Sequence, residues 1–244
     1  MTDCRVVVLG GSSGIGLSFA ELVAMEPGVE VEVTAPSVDA AAKAQAVLGP
    51  SVGVNVVDLL DVADQVLVNL TARTDVLVLS AGVEYVGPVE LEPPGAFEQM
   101  LSVNVGGPAR TASSCLPGMI SRGSGLIIGL GSIVTSGPRP FLAGYTASKA
   151  AFESYLGSLA GEVRGTGVRI EHLRLGPVAT ELGSNGPSNW MPDPTSPYHD
   201  AFMGARAESE RERAELVRGP TGVAQEILAI VRSFRSAGNP ATGE

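Results

Sequence analysis

Leu9-Gly10-Gly11-Ser12-Ser13-Gly14-Ile15-Gly16 follows directly on the run Arg5–Leu9 and leads straight into a helical pattern, Ile15–Met25. Glycines at such a junction let the backbone turn sharply and approach a pyrophosphate, whose charge then sits at the positive end of the helix. The spacing is G-x-x-x-G-x-G rather than the commoner G-x-G-x-x-G of dinucleotide folds. By itself such a turn supports a plain loop as well as a binding loop; its place after the first strand is what points to a nucleotide.

Outward from that turn, short apolar runs alternate with longer amphipathic ones. The runs Arg5–Leu9, Val29–Ala35, Val52–Asp58, Val76–Ser80, Gly125–Gly131 and Val168–Leu173 are mostly Val, Ile and Leu with little polar alternation, as parallel strands covered on both faces require. Helical patterns fill the intervals at Ile15–Met25, Val38–Leu48, Val62–Ala72, Ala96–Ser121 and Tyr145–Arg164. This order predicts an α/β fold, a doubly wound parallel sheet of six or seven strands with helices on both faces. Gly, Pro, Ser and Asn crowd together at Gly183–Pro197, and too little chain follows for a second core. The expectation is one domain over 1–244: a dinucleotide-binding part to about 180, then a mobile substrate loop and a helix around Tyr198–Leu216. A last helix is expected at Thr221–Phe234, with Thr221 as its N-cap.

Composition narrows the function. A chain of 244 residues that is 44% hydrophobic and 17% charged supports a large core. Its net charge of −10 repels a polyanion, and no Lys/Arg patch reverses that field locally, which argues against nucleic acid. Cys4 and Cys115 are the only cysteines, too few for a zinc cluster, and no metal site is expected. The first apolar run breaks at Gly10, too short for a signal peptide, and no stretch approaches a membrane span, so a cytoplasmic protein without membrane contact is expected.

Tyr145-Thr146-Ala147-Ser148-Lys149 puts a phenol and an ammonium at i, i+4 on one helix face. An unperturbed phenol titrates near 10, and a neighbouring cation is expected to lower it toward useful acid–base chemistry. A surface Tyr/Lys pair is the ordinary reading of the same spacing, so its company matters. Ser132 ends the fifth strand, thirteen positions earlier, on the side of the sheet where ligands bind in open parallel folds.

Taken in order, Gly10/Gly14/Gly16, Ser80-Ala81-Gly82, Asn104, Ser132, Tyr145/Lys149 and Gly176-Pro177-Val178-Ala179-Thr180 resemble the short-chain dehydrogenase/reductase family, from about Arg5 to Thr180. Gly176–Thr180 and Gly82–Val89 are similar to its hydroxysteroid and retinol dehydrogenase-like members. The resemblance implies an alcohol–carbonyl oxidoreductase in which Tyr145 moves the proton, Lys149 tunes it, Ser132 orients the substrate oxygen and Asn104 bends the long helix and anchors a proton-relaying water. It places Gly10, Ser12, Ser13, Gly14, Ile15 and Gly16 at the adenosine and pyrophosphate end, and Asp58 and Leu59 at the adenine edge. Ser80, Ala81 and Gly82 pass the ribose, which Tyr145 and Lys149 also hold, and Gly176, Pro177, Val178 and Thr180 fix the nicotinamide.

There are departures. The family usually has Thr where Leu9 stands and Asn where Ser80 stands, both of them bracing residues, and Pro-Gly where this chain reads Leu175-Gly176. Ser236–Glu244 is not strand-like, so either a seventh strand is absent or the chain stops short of it; a homodimer through Gly106–Ser121 and Tyr145–Arg164 is expected rather than a tetramer. The second strand ends Thr34-Ala35-Pro36-Ser37-Val38 with neither an acid nor an arginine, and Ser12 and Ser37 tip the expectation to NADP(H) over NAD(H). Trp190, Met191, Tyr198, Phe202 and Met203 either meet a hydrophobic small-molecule substrate or pack among themselves. His172, on a strand, reads as structural. A dinucleotide sensor without activity, or a lyase or epimerase that recycles its nicotinamide, would use the same scaffold; the full set Asn104, Ser132, Tyr145 and Lys149 favours the oxidoreductase.

Overall fold

In the first strand, β1 (Cys4–Leu9), Val6 and Val8 join one buried cluster while Val7 and Leu9 join another. A strand whose two sets of side chains are both buried must lie in the middle of a three-layer structure, and the rest of the chain supplies the layers. The computed structural model describes residues 4–61, 64–180, 182 and 190–237. The further strands are β2 (Val29–Ala35), β3 (Gly53–Val56), β4 (Val76–Leu79), β5 (Gly125–Ser132) and β6 (Val168–Leu175). All pair in parallel, in the order β3-β2-β1-β4-β5-β6. The order reverses between β1 and β4, where a doubly wound sheet opens a crevice at its carboxyl edge.

One face is covered by α1 (Gly14–Val23), α2 (Val38–Leu48) and α8 (Pro220–Ser236), through Phe19, Ala20, Ala44, Leu48, Ile227 and Val231 among others. The other is covered by α3 (Asp64–Thr71), α5 (Gly107–Arg122) and α6 (Ala143–Glu162), through Leu67, Ala112, Met119, Phe152 and Leu156. Each of the larger of these side chains contributes on the order of 1.5–3 kcal/mol by leaving water, and each alanine less. Cys4 and Cys115 are buried thiols that form no disulfide, and burial pushes Cys115 up to about 12. Among the described residues, no helix is long and apolar enough to cross a membrane.

Two expectations need correction. The long helix expected over Ala96–Ser121 is divided: α4 (Ala96–Leu101), a π-helical turn at Ser102–Gly106, then α5. The wide turn brings Asn104 inward, where its Oδ1 accepts from the Val83 backbone N–H (2.8 Å) and its Nδ2 donates to the Val83 carbonyl (2.9 Å) and Ser148 Oγ (2.9 Å). Secondly, Thr221 does not cap the last helix. Gly219 takes that position because Pro220, with its fixed φ and missing N–H, suits the first helical residue. The helix expected around Tyr198–Leu216 is present as α7 (His199–Leu216), with Tyr198 at its cap. Between α7 and α8, the Arg218 carbonyl accepts from Ala179 N–H (2.9 Å) and its N–H donates to Pro177 O (3.0 Å), strapping the segment after β6 in place. Residues 183–189 of the expected loop, and 238–244 at the end where no seventh strand is expected, lie outside the described residues.

Candidate active site

A cavity of about 1220 Å³ runs along the carboxyl edge of the sheet, from Gly10 and Ser12 to Ser132, Tyr145 and Lys149. That exceeds the usual ~300–1,000 Å³ of a small-molecule pocket and leaves room for a dinucleotide with a second ligand beside it.

At one end is the glycine turn. Gly10 has φ +81°, open to glycine and strained for other residues, and a Cβ there would stand 2.5 Å from Ala81 Cα. Gly16 does not line the cavity; a Cβ on it would strike the Gly10 carbonyl oxygen, so its task is to let α1 press against the turn. The bracing put in question by Leu9 and Ser80 comes from Thr34 at the end of β2. Its hydroxyl accepts from Gly10 N–H (2.9 Å) and its carbonyl from Gly11 N–H (3.1 Å), while Ser80 N–H donates to Leu9 O (2.9 Å). Ser12, Ser13, Gly14 and Ile15 face the cavity, with the N-terminus of α1 behind them. Ser37, Asp58 and Leu59 line the same end, and Ser80, Ala81, Gly82, Gly176, Pro177, Val178 and Thr180 line the middle. Asn104 sits one layer back, behind Gly82: a methyl group added to that glycine would stand 3.6 Å from the Asn104 Oδ1.

At the other end, α6 brings Tyr145 and Lys149 to one face, both buried, and β5 ends in Ser132. The Lys149 ammonium donates to Leu130 O (3.2 Å) and stands 5.9 Å from the centre of the Tyr145 ring. Burial brings Lys149 down to about 8, with Glu84 opposing that shift. The lowering of Tyr145 expected from Lys149 is not found among the protein's own groups. Burial, then the charge of Glu84, raise the phenol above its ordinary value, and only the Ser132 hydroxyl works the other way. The i, i+4 spacing suggests a charge pair, yet the ammonium is turned to a backbone carbonyl in a water-poor site where desolvation dominates.

Several lining residues are not evident from the sequence. Glu84 follows Gly82 by two positions on the loop after β4 and has no local signature. Arg139 and Phe141 on the loop after β5, and Glu212 and Arg213 on α7, have no local signature. Phe141 holds φ +67°, a conformation that costs about 1–2 kcal/mol for a residue with a side chain. Its ring meets Phe202 edge-on at 5.1 Å, and Trp190 meets Phe202 at 5.3 Å and Tyr198 at 6.3 Å. Trp190, Met191 and Phe202 line the cavity, and the two aromatic rings among them also pack locally, whereas Met203 is exposed. His172 is part-buried beside Gly131 on β6, away from the cavity lining.

The family model described as short chain dehydrogenase matches residues 5–189. A short chain dehydrogenase of Pseudocercospora fijiensis is 34% identical over 73% of this chain, which spans 60% of that protein's length. Human 17-beta-hydroxysteroid dehydrogenase type 1 is 32% identical, with 96% of this chain and 75% of that protein covered; human retinol dehydrogenase 8 is 34% identical, with 94% and 78% covered. Among solved structures, a short-chain dehydrogenase from Streptomyces avermitilis superposes with a TM-score of 0.76 at 25% identity, covering 94% of this chain and 85% of that one. A match spanning most of the sequence, on a sheet of this strand order, decides the matter: the chain belongs to the short-chain dehydrogenase/reductase family of oxidoreductases.

Proposed function

We propose that the protein interconverts an alcohol and a ketone or aldehyde on a hydrophobic small molecule, with NADP(H) preferred over NAD(H). The carrying observation is that a glycine turn fit for a pyrophosphate and the Ser132–Tyr145–Lys149 group lie at opposite ends of one cavity. The nicotinamide cofactor supplies or accepts the hydride at the substrate carbon. In the reductive direction Tyr145 gives its phenolic proton to the carbonyl oxygen as the C=O bond opens, and Ser132 holds that oxygen. Lys149 lies beside the phenol, and Asn104 ties the Val83 segment to α6 through Ser148. Gly176, Pro177, Val178 and Thr180 hold the nicotinamide end.

The NADP(H) preference rests on the end of β2, which lacks a carboxylate to repel a 2′-phosphate. Ser37 caps α2 and keeps its hydroxyl proton free to donate, and Lys43 lines the cavity further along that helix. A homodimer is supported by the outer face of α6, where Ala150, Ser154, Gly157, Ser158 and Gly161 are small and exposed and allow close approach of a second copy.

The test is the near-ultraviolet absorbance of reduced nicotinamide, with both cofactors against steroid, retinoid and aryl ketones and alcohols. Tyr145→Phe should keep cofactor binding and lose about 10²–10⁴-fold in turnover. Near-normal turnover in that variant would overturn the reading.

A further inference from the structure

The reaction proposed above leaves Glu84, a carboxyl of the same cavity, without a task. Glu84 lies on the extended stretch after β4, where Val83 and Tyr85 are buried with Met100 and Tyr145, and Glu84 between them turns to the cavity. Asn104 holds both backbone groups of Val83, so the chain that carries Glu84 is anchored from behind. Among the described residues Glu84 has no hydrogen bond and no ion pair within reach, although it is only part-exposed. The charged and titratable groups that face it are Arg213 from α7 and Lys149 and Tyr145 from α6.

With no protein donor on this carboxyl, solvent in the cavity is its partner in the free protein, and a ligand that brings a donor replaces that solvent with a fixed hydrogen bond. Burial holds this carboxyl above the ordinary carboxylate range, and Arg213 and Lys149 pull it back toward the charged form. The same two cations disfavour an additional positive charge, so a neutral hydroxyl is a better donor here than an ammonium. Beyond Glu84, Phe141, Trp190 and Phe202 offer an apolar wall.

We propose that Glu84 is a specificity-determining residue that accepts a hydrogen bond from a second hydroxyl of the substrate, so that the enzyme selects hydroxyketones and diols carried on an apolar body. This deepens, and rests on, the oxidoreductase reading of the site. A site built to bond a hydroxyl discriminates against the analogue that lacks it, because the buried acceptor is then left unpaired.

The test compares 2-hydroxyacetophenone, 2-methoxyacetophenone, 2-aminoacetophenone and acetophenone as substrates of the NADPH-loaded enzyme. The wild type should favour the hydroxyketone over acetophenone by about tenfold or more in kcat/KM. The methoxy compound, which cannot donate, should behave like acetophenone. In Glu84→Ala the ratio should fall to about one, and in Glu84→Gln, which keeps the shape and an acceptor without the charge, to an intermediate value. NADPH fluorescence reports that each variant is folded and binds cofactor. A wild-type ratio near one, or a ratio that Glu84→Ala leaves unchanged, would overturn the assignment while leaving the oxidoreductase intact. A preference for the amino ketone would overturn the hydroxyl as the recognised group. If NADPH bound and none of the ketones was reduced, the proposed reaction itself would fall, and this inference with it.

Discussion

Arg139 and Glu212 meet in a two-point ion pair across the mouth of the cavity, Nη1 to Oε2 at 2.8 Å and Nη2 to Oε1 at 3.0 Å. The arginine sits on the loop that leaves β5 after Ser132, and the glutamate on α7, so the pair ties the Ser132 side of the cleft to α7. The planar fork fixes orientation as well as distance. The pairing holds the Glu212 carboxyl below the usual range and the guanidinium above its own.

Breaking that tie should loosen substrate binding more than the fold. Both side chains are about one-third exposed, so solvent screening limits the pair to roughly 0.5–1 kcal/mol of stability. Arg139→Ala and Glu212→Ala should each raise KM several-fold with little change in kcat, and the double variant should do no worse than either alone. Additive losses in a steady-state double-mutant cycle would show that the two residues act separately.

Lys149 is expected to be a liability for stability. Its folded value of about 8 lies below the ordinary 10.5, so the native state resists protonation. Below pH 8 the unfavourable term is present in full; between pH 8 and 10.5 the unfolded chain binds more protons than the native one, stability rises, and the term is gone above that window. Lys149→Met should therefore be inactive yet more stable at pH 7 by on the order of 1–3 kcal/mol, with the advantage shrinking toward pH 10. Urea titrations of both proteins at the two pH values measure this; an advantage that does not shrink would place the effect elsewhere than in the proton.

Gly16→Ala should be far more damaging than an alanine at an open helical glycine. The new methyl would collide with the Gly10 carbonyl, a backbone atom that cannot swing aside, whereas nothing lies within 4 Å of a methyl at Gly204 on α7. Gly16→Ala should lose about 2 kcal/mol or more and weaken NADPH binding, while Gly204→Ala should gain up to about 1 kcal/mol from helix propensity. Thermal melts with and without NADPH give both values.

Cofactor choice should move with Lys43. Lys43→Glu should lower kcat/KM for NADPH by about tenfold and leave NADH nearly unaffected, with the difference fading in high salt because the side chain is exposed. Equal losses with both cofactors would mean that Lys43 does not meet the 2′-phosphate.

The strands are legible in the sequence because each is a short local run whose burial on both faces excludes polar residues; β2 (Val29–Ala35) and α2 (Val38–Leu48) coincide with their expected ranges. Tyr145, Lys149 and Ser132 are legible because helix spacing and strand ends are local facts. A bend at Asn104 is implied by the family resemblance, but its form is not: the π-helical turn at Ser102–Gly106 goes with hydrogen bonds of Asn104 to Val83 and Ser148, partners 21 and 44 positions away. Thr34 as the brace of the glycine turn is hidden for the same reason, 24 positions from the N–H it serves.

From the order of residues alone come the parallel sheet, the nucleotide turn and the phenol–ammonium pair, because periodicity and glycine chemistry act over a few neighbouring positions. Tertiary structure decides the rest: that Glu84, Arg139 and Arg213 share one cavity, and that Tyr145 is raised rather than lowered. Desolvation and charge are sums over everything within several ångströms in space, and that neighbourhood is assembled from segments that only folding brings together.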